Sequence, residues 1–328
     1  MKFKIHPLWW PILALFSPIL MPYLFYKNES YKLCIENIDQ INEQRIKNTI
    51  NFKLLEIKQL QLTAVVDAKA KSDFAFEAGI SYWLKTDSSN LLFDIAFADE
   101  SPVFKNNLKR LHLDQKNITD LVISHLHPDH IGGVNASRKN LLNIPQIINN
   151  DQFSVYLPAA ADVKNANKNI IYSPQLITKE IATTGPLRAN LFFSGPTEEQ
   201  SLVVKIKNKG LVIIVGCGHP NLEKTLKMAK KIGEDKIYAV IGGLHIPVKN
   251  GQVQKLGIDF QRIIGTGLRP WKKLTNNYLD KKILILEKNK VKKIFLSPHD
   301  SSDYALKYFK DNFKAEVKII KSGFNCQI

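Results

Sequence analysis

The chain has 328 residues, 45% hydrophobic and 23% charged, which excludes wholesale disorder and leaves room for one large domain or two ordinary ones. Lys and Arg outnumber Asp and Glu by 46 to 30, a formal charge of +16 that suits an anionic partner, but the lysines are spread without an arginine-rich block, as on a solvated basic surface. Cys34, Cys217 and Cys326, an odd number with no C-x-x-C spacing, speak against a disulfide framework.

Residues 8–26, LWWPILALFSPILMPYLFY, carry no charge and are long enough to cross a hydrocarbon core of roughly 30 Å. Lys2 and Lys4 precede them as in a signal sequence, but no small-x-small cleavage site follows, so an uncleaved membrane anchor is expected. Pro18 and Pro22 are expected to kink or break a spanning helix, which keeps an interfacial segment or an arm packed on the domain as alternatives. Lysines flank both sides, so the side of the membrane is not legible. The segmentation is therefore a hydrophobic membrane-associating segment at 1–26, a polar and partly helical connector at 27–51, and a body at 52–328.

In the body, apolar runs of strand length recur, among them ITDLVIS, SLVVKI, LVIIVG, KIYAVIGG and KKIFLS, each bounded by turn residues or lysines. Helical patterns come mainly later. Asn221 caps a segment in which Leu222, Leu226, Ala229 and Ile232 recur at helical spacing up to Gly233. Residues 301–313 repeat the arrangement, with Tyr304, Tyr308 and Phe309 as the expected buried stripe. Strands covered by helices in one large α/β unit follow from this order.

The stretch SHLHPDHIGG places three of the eight histidines at the end of a buried strand. In extended chain, residues i and i+2 point to one side, so His125 and His127 can grip one ion. Pro128 keeps His127 out of helical geometry, and the bend beyond it turns Asp129 and His130 toward a second position. Gly132 and Gly133 then permit a tight backbone path. One hairpin supplies only half of each site. His219, His245 and His299 each stand just beyond another apolar strand, in GCGHPN, IGGLHIP and SPHDSS, and are the candidates for the rest. Cys217, between two glycines, reads as a small buried residue, with a thiolate ligand as the alternative.

H-x-H-x-D-H after a strand, preceded by a strand ending in Asp94, resembles the metallo-β-lactamase superfamily. EAGIS, LFD, SHLHPDHIGG, KGLVIIVGCGHPN and YAVIGGLH follow the order of one branch, typified by the archaeal pterin ribofuranosyl-aminobenzene phosphate synthase and many metal-dependent hydrolases. The likeness covers about residues 52–325. It implies an αβ/βα four-layer sandwich with a dinuclear metal site at one edge, zinc first, with manganese or iron as alternatives. By the resemblance His125, His127 and His219 hold one ion, and Asp129, His130 and His299 the other. His245 stands where most members have a bridging aspartate. Glu199, in Glu198-Glu199-Gln200 where the branch has Asp-Asp-Gln, is an extra ligand or a partner behind one; His299-Asp300-Ser301-Ser302 replaces His-Cys-Thr-Gly.

Two cations beside an open position bring the pKa of a coordinated water to about 7, and no serine or cysteine nucleophile is then required. Asp129 and His245 are the candidate catalytic residues, and Asp94 is expected to orient a ligand histidine. The insertion RIIGTGLRPWKKL, with Arg262, Arg269, Lys272, Lys273 and Trp271, suits a lid or an ordinary surface loop. Together these readings favour a membrane-associated metallohydrolase of a small anionic or phosphorylated ester. The alternatives are transferase chemistry of the pterin-synthase type and a nucleic-acid phosphodiesterase, the latter disfavoured for want of further nuclease motifs; a non-catalytic metal module ranks below both. Oligomeric state is not legible.

Overall fold

The strand Gly210–Val215 shows why the middle of the molecule is read as a continuous apolar run. Leu211, Ile213 and Val215 pack against helices, whereas Val212 and Ile214 point the other way into a second layer. Both faces are covered, so both sets of alternate side chains are apolar. A computed structural model describes residues 7–113, 117–148, 153–249, 251, 254–255, 258–272 and 274–328; Lys2, Lys4 and Lys273 lie outside them.

Two seven-stranded sheets face each other. The first runs in the order Asn325–Gln327, Gln61–Val66, Ser81–Lys85, Asn90–Phe93, Asp120–Val122, Ser154–Leu157, Asn167–Ile170; the second runs Glu316–Ile319, Lys293–Leu296, Ile237–Gly242, Gly210–Val215, Leu202–Ile206, Ile181–Thr183, Gln175–Leu176. Between them lies a core that includes Leu62, Tyr82, Phe93, Val204, Ile214, Ile241 and Phe295. Outside the first sheet pack helices α2 (Val103–Arg110) and α3 (Val134–Lys139), through Phe104, Leu108 and Ala136. Outside the second pack α4 (Leu222–Gly233), α6 (Asn276–Lys288) and α7 (Asp303–Asn312); the short α5 (Phe260–Gly265) lies at the sheet's edge. This is the αβ/βα four-layer arrangement expected.

Helix α4 starts where Asn221 accepts the Glu223 backbone N–H. In α7 the buried stripe is Ala305, Leu306 and Phe309, while Tyr304 and Tyr308 are only half-buried. Their hydroxyls reach Asn276 and Asp280 on α6, which keeps them at the rim.

The largest departure from the sequence reading is α1, one helix from Trp10 to Asn48 that neither breaks nor stops at residue 26. Pro18 removes the N–H that would bond the Ala14 carbonyl, and the Ser17 hydroxyl donates to that carbonyl instead. The connector is the second half of this helix, and it is docked. Ile38, Asn42 and Ile46 are buried, Asn42 exchanges hydrogen bonds with the Arg188 backbone, and Arg45 pairs with Glu198. No residue of the apolar first half is buried.

Candidate metal centre

Four strands of the two sheets end at one edge, and the loops leaving them carry the sequence-predicted residues. After Asp120–Val122 come His125, His127, Asp129 and His130; after Gly210–Val215 come Cys217 and His219; His245 follows Ile237–Gly242 and His299 follows Lys293–Leu296. Residues as much as 174 positions apart (299 − 125) thus converge because parallel strands bring their carboxyl ends together.

The geometry falls into two groups. His127 Nδ1 stands 2.9 Å from His125 Nε2 and 3.2 Å from His219 Nε2. His130 Nε2 lies 3.5 Å from Asp129 Oδ2 and 3.2 Å from Cys217 Sγ, which is 3.1 Å from His299 Nε2. Cys217 belongs to both, since its sulfur also lies within 4.8 Å of ligand atoms on His125 and His219. Cys217 is buried, as expected, and burial holds its thiol well above the usual range; its sulfur also stands between the two groups, where the alternative of a thiolate ligand places it.

His245 does not take that place. Its backbone adopts φ +49 and its N–H donates to Asp300 Oδ2 at 2.8 Å, which turns the ring against His219, with centroids 4.8 Å apart. One of its nitrogens lies within 4.8 Å of Cys217 and Asp300 atoms, beside the two groups rather than between them. The ring is buried with no side-chain hydrogen bond to either nitrogen; the Gln261 backbone acts on it, and Asp300 Oδ2 stands 4.0 Å from Nδ1.

Behind the rings is a layer the sequence showed only in part. Asp94 accepts the Ser124 N–H at 2.6 Å and its hydroxyl at 2.7 Å, and faces His130 Nδ1 at 2.7 Å. Ser124 Oγ in turn meets His125 Nδ1 at 2.9 Å. A second relay runs from Asp67 through Ser297 Oγ to His299 Nδ1, at 2.8 and 2.6 Å, and Tyr82 donates to the same aspartate. His219 Nδ1 meets the Gly265 carbonyl at 3.1 Å. Burial pushes Asp67 up to about 7 and raises Asp94; in its ionised form each carboxylate only accepts, so each relay then places the hydrogen on Nδ1 and leaves the Nε2 lone pair facing the cluster. Asp94 performs the role expected of it; Asp67, Ser124 and Ser297 were not identified from sequence. Glu199 contacts no ring: its carboxylate accepts the backbone N–H groups of Cys217, Gly218 and His219 at 2.8 to 3.0 Å and so shapes the loop. Gly132 and Gly133 do adopt positive φ, but a Cβ at Gly133 would strike Glu100, so the close approach is to that side chain and not to an ion site.

Protonation favours ligation at five of the six rings, and His130 is the exception. Burial pushes His245 and His299 down to about 3 and His127 to about 4, and holds His125 and His219 well below the usual imidazole range. Neutral imidazoles offer lone pairs, the form a cation binds. Burial would raise the Asp129 carboxyl, but neighbouring His130 outweighs it and holds the group well below its ordinary value. His130 itself is held above the usual range, where burial is outweighed by Cys217, Asp129 and Asp94. Three nitrogens converging near 3 Å, with a carboxylate and a central sulfur, match the N, O and S donor set of a divalent transition metal.

A pocket of about 680 Å³ opens on this cluster, walled by Ala78, Phe97, Val134 and Leu191. Among the described residues no Lys or Arg lines it, and the insertion, read as a lid or an ordinary surface loop, reaches it through Gly265. Arg269 lies instead over the Tyr31 ring of α1, Arg262 on α5 points its guanidinium toward the Pro270 carbonyl, and Lys272 is exposed.

Residues 76–219 match the sequence model of the metallo-beta-lactamase superfamily. A curated relative from Methanocaldococcus jannaschii, 7,8-dihydropterin-6-methyl-4-(beta-D-ribofuranosyl)-aminobenzene-5'-phosphate synthase, is 26% identical, with 77% of this chain and 90% of the relative covered. Among solved structures, Tm1679, described as a metal-dependent hydrolase of the beta-lactamase superfamily, aligns with TM-score 0.58 and 21% identity over 82% of this chain and 99% of its own. YhfI from Bacillus subtilis, a metallo-beta-lactamase fold protein, aligns with TM-score 0.50 and 14% identity over 81% and 99%.

Proposed function

The chain carries the fold and the sequence signature of the metallo-β-lactamase superfamily, and from that premise we propose that it is a metal-dependent hydrolase of an ester-type bond. The observation that carries this reading is the convergence of five histidines and Asp129 around the Cys217 sulfur, each of four imidazoles backed by a group that fixes its tautomer. His125, His127 and His219 would hold one cation, and Asp129, His130 and His299 a second, with Cys217 shared. Such cations supply an acidified water and a Lewis acid for the scissile oxygen.

The protein's own groups then have distinct tasks. Asp129, whose carboxylate is partly exposed in the pocket, orients the attacking water by accepting one of its hydrogens. His245 faces the same pocket with unpartnered nitrogens, and there it hydrogen-bonds the leaving-group oxygen. Membrane anchoring by residues 8–26 is part of the same reading, supported by a helix of sufficient length and apolarity.

The test combines metal content with hydrolysis of 4-nitrophenyl esters and phosphodiesters by the full-length protein. Turnover that follows added zinc, manganese or iron and drops at least about a hundredfold in His127→Ala supports the reading; metal-independent turnover contradicts it. The synthase similarity supports a second reading, transfer to an acceptor other than water. It predicts a coupled product formed from a phosphorylated ribosyl donor and an aromatic acceptor, with no hydrolysis in the acceptor's absence.

A further inference from the structure

A lysine-lined hollow lies at the end of the second sheet opposite the metal site. Lys209, Lys236 and Lys292 immediately precede the three parallel strands whose far ends carry Cys217, His245 and His299, and they line one hollow together with Lys230, Lys288 and Lys290. A six-residue strand puts roughly 20 Å between the ends. The pocket on the metal edge has apolar walls, and its volume lies within the range of about 300–1,000 Å³ usual for small-molecule sites.

Helix α1 fixes which end faces a bilayer. It runs parallel to α4: Asp39 and Glu43 meet Lys224 near the start of α4, Thr49 meets Met228, and the Phe52 N–H donates to Ile232 near its end. Helix α4 begins three residues after His219 and ends beside the lysine hollow. Followed toward its N-terminus, α1 therefore travels to the metal edge. There the Tyr31 hydroxyl donates to the Gly267 carbonyl, two residues from the Gly265 carbonyl that meets His219. The uncharged stretch ends at Tyr26, five residues earlier, or about 7.5 Å along the helix. Phe192 packs on Tyr31, and the half-exposed Trp271 packs on Phe192, an aromatic group at the depth where such rings favour a membrane interface.

We propose that α1 holds the metal edge against a bilayer, and that the apolar pocket takes the hydrocarbon chain of a bilayer-resident amphiphile whose ester-type head lies on the ligand cluster. This rests on the hydrolase and anchor readings and names their substrate class. Water adds at the acyl carbon or phosphorus of the head, the bond to the leaving oxygen breaks, and that oxygen takes the proton; no co-reactant but water is consumed.

The test uses the full-length protein in lipid nanodiscs with a dodecyl phosphate carrying a diazirine at the chain end. Photolabel is expected on peptides containing Phe97, Val134 or Leu191. Val134→Asp, at an exposed first-turn position of α3 that tolerates an acid, should cut that labelling about tenfold while residues 8–26 label as before. Label confined to residues 8–26 overturns the proposal. In parallel, 4-nitrophenyl esters and alkyl phosphodiesters of two to ten carbons are turned over by parent and Val134→Asp, whose ratio cancels partition into the bilayer. The ratio should rise with chain length, by up to about fourfold per methylene. A flat ratio overturns the amphiphile and leaves the hydrolase standing. Pocket labelling without metal-dependent turnover of any ester supports the amphiphile and overturns the hydrolase.

Discussion

Replacing Asp94 by Asn should weaken both halves of the metal centre by changing a single atom. The carboxylate is fully buried, and its Oδ2 receives the Ser124 hydroxyl and faces His130 Nδ1, both at 2.7 Å. In Asp94→Asn the Oδ1 side can still accept the Ser124 N–H, and Asn tolerates the left-handed backbone at φ +63, so the fold should persist. The Oδ2 position, however, becomes an N–H₂ donor. His130 must then accept at Nδ1, which moves its hydrogen to Nε2 and removes the lone pair facing Cys217; Ser124 loses the acceptor that fixed its hydroxyl, and with it the bond that orients His125. Losing such a partner typically costs 10–100-fold in metal affinity, or about 1.4–2.8 kcal/mol. Here the loss should appear at both sites, because His130 and His125 lie in different groups. Competition with a chromophoric chelator, with thermal unfolding as the control for folding, measures it. Affinities within about threefold of the parent at both sites, in a variant whose His125→Ala counterpart loses metal, would refute the tautomer relay.

Other perturbations have equally definite outcomes. Ser297→Ala, which cuts the relay from Asp67 to His299, should weaken only the second site, by about 10–100-fold; a matching loss at the His127 site by metal titration would contradict it. In Gly265→Ala the new Cβ would press into the His245 ring, so an overpacking cost of about 1–3 kcal/mol and a tenfold or greater fall in kcat/KM are expected; parent-like kinetics would place α5 elsewhere. Arg45→Ala removes the bonds to Glu198 and to the Pro186 carbonyl, and should cost about 1–3 kcal/mol and open α1 to limited proteolysis near residue 45. Burial would raise the Glu180 carboxyl, but Thr86 and Ser88 outweigh it and hold the group below its ordinary 4.5. A lowered folded value means stability that is present above the unfolded pKa and lost as pH falls. Glu180→Gln should therefore cost more at pH 7 than at pH 3, measured by urea midpoints; equal cost at both would contradict the assignment.

The parts of the centre carried by a local pattern were legible in the sequence. H-x-H-x-D-H announces its own geometry through two-residue alternation and a proline, and His219 and His299 could be found because each follows an apolar strand. Asp67 and Ser297 could not, since they stand 230 positions apart and only the closure of the two sheets brings them together. Cys217 stayed open between two readings because a cysteine between glycines looks alike whether it packs or ligates; only the fold brings His130 and His299 to either side of it. His245 was placed by chain order, but its left-handed backbone and the Asp300 bond turn it aside. The docked half of α1 left a signal that was passed over: Ile38, Asn42 and Ile46 recur every four residues in a stretch that otherwise reads as a polar linker.

Metal content per chain, measured on the full-length protein and four variants, tests the two-site centre most directly. Two divalent ions are expected in the parent, one in His127→Ala and one in His299→Ala, fewer than one in Cys217→Ala because the sulfur serves both sites, and two in His245→Ala. A parent that binds no transition metal tightly, or a Cys217→Ala variant that keeps both ions at parental affinity, would contradict it.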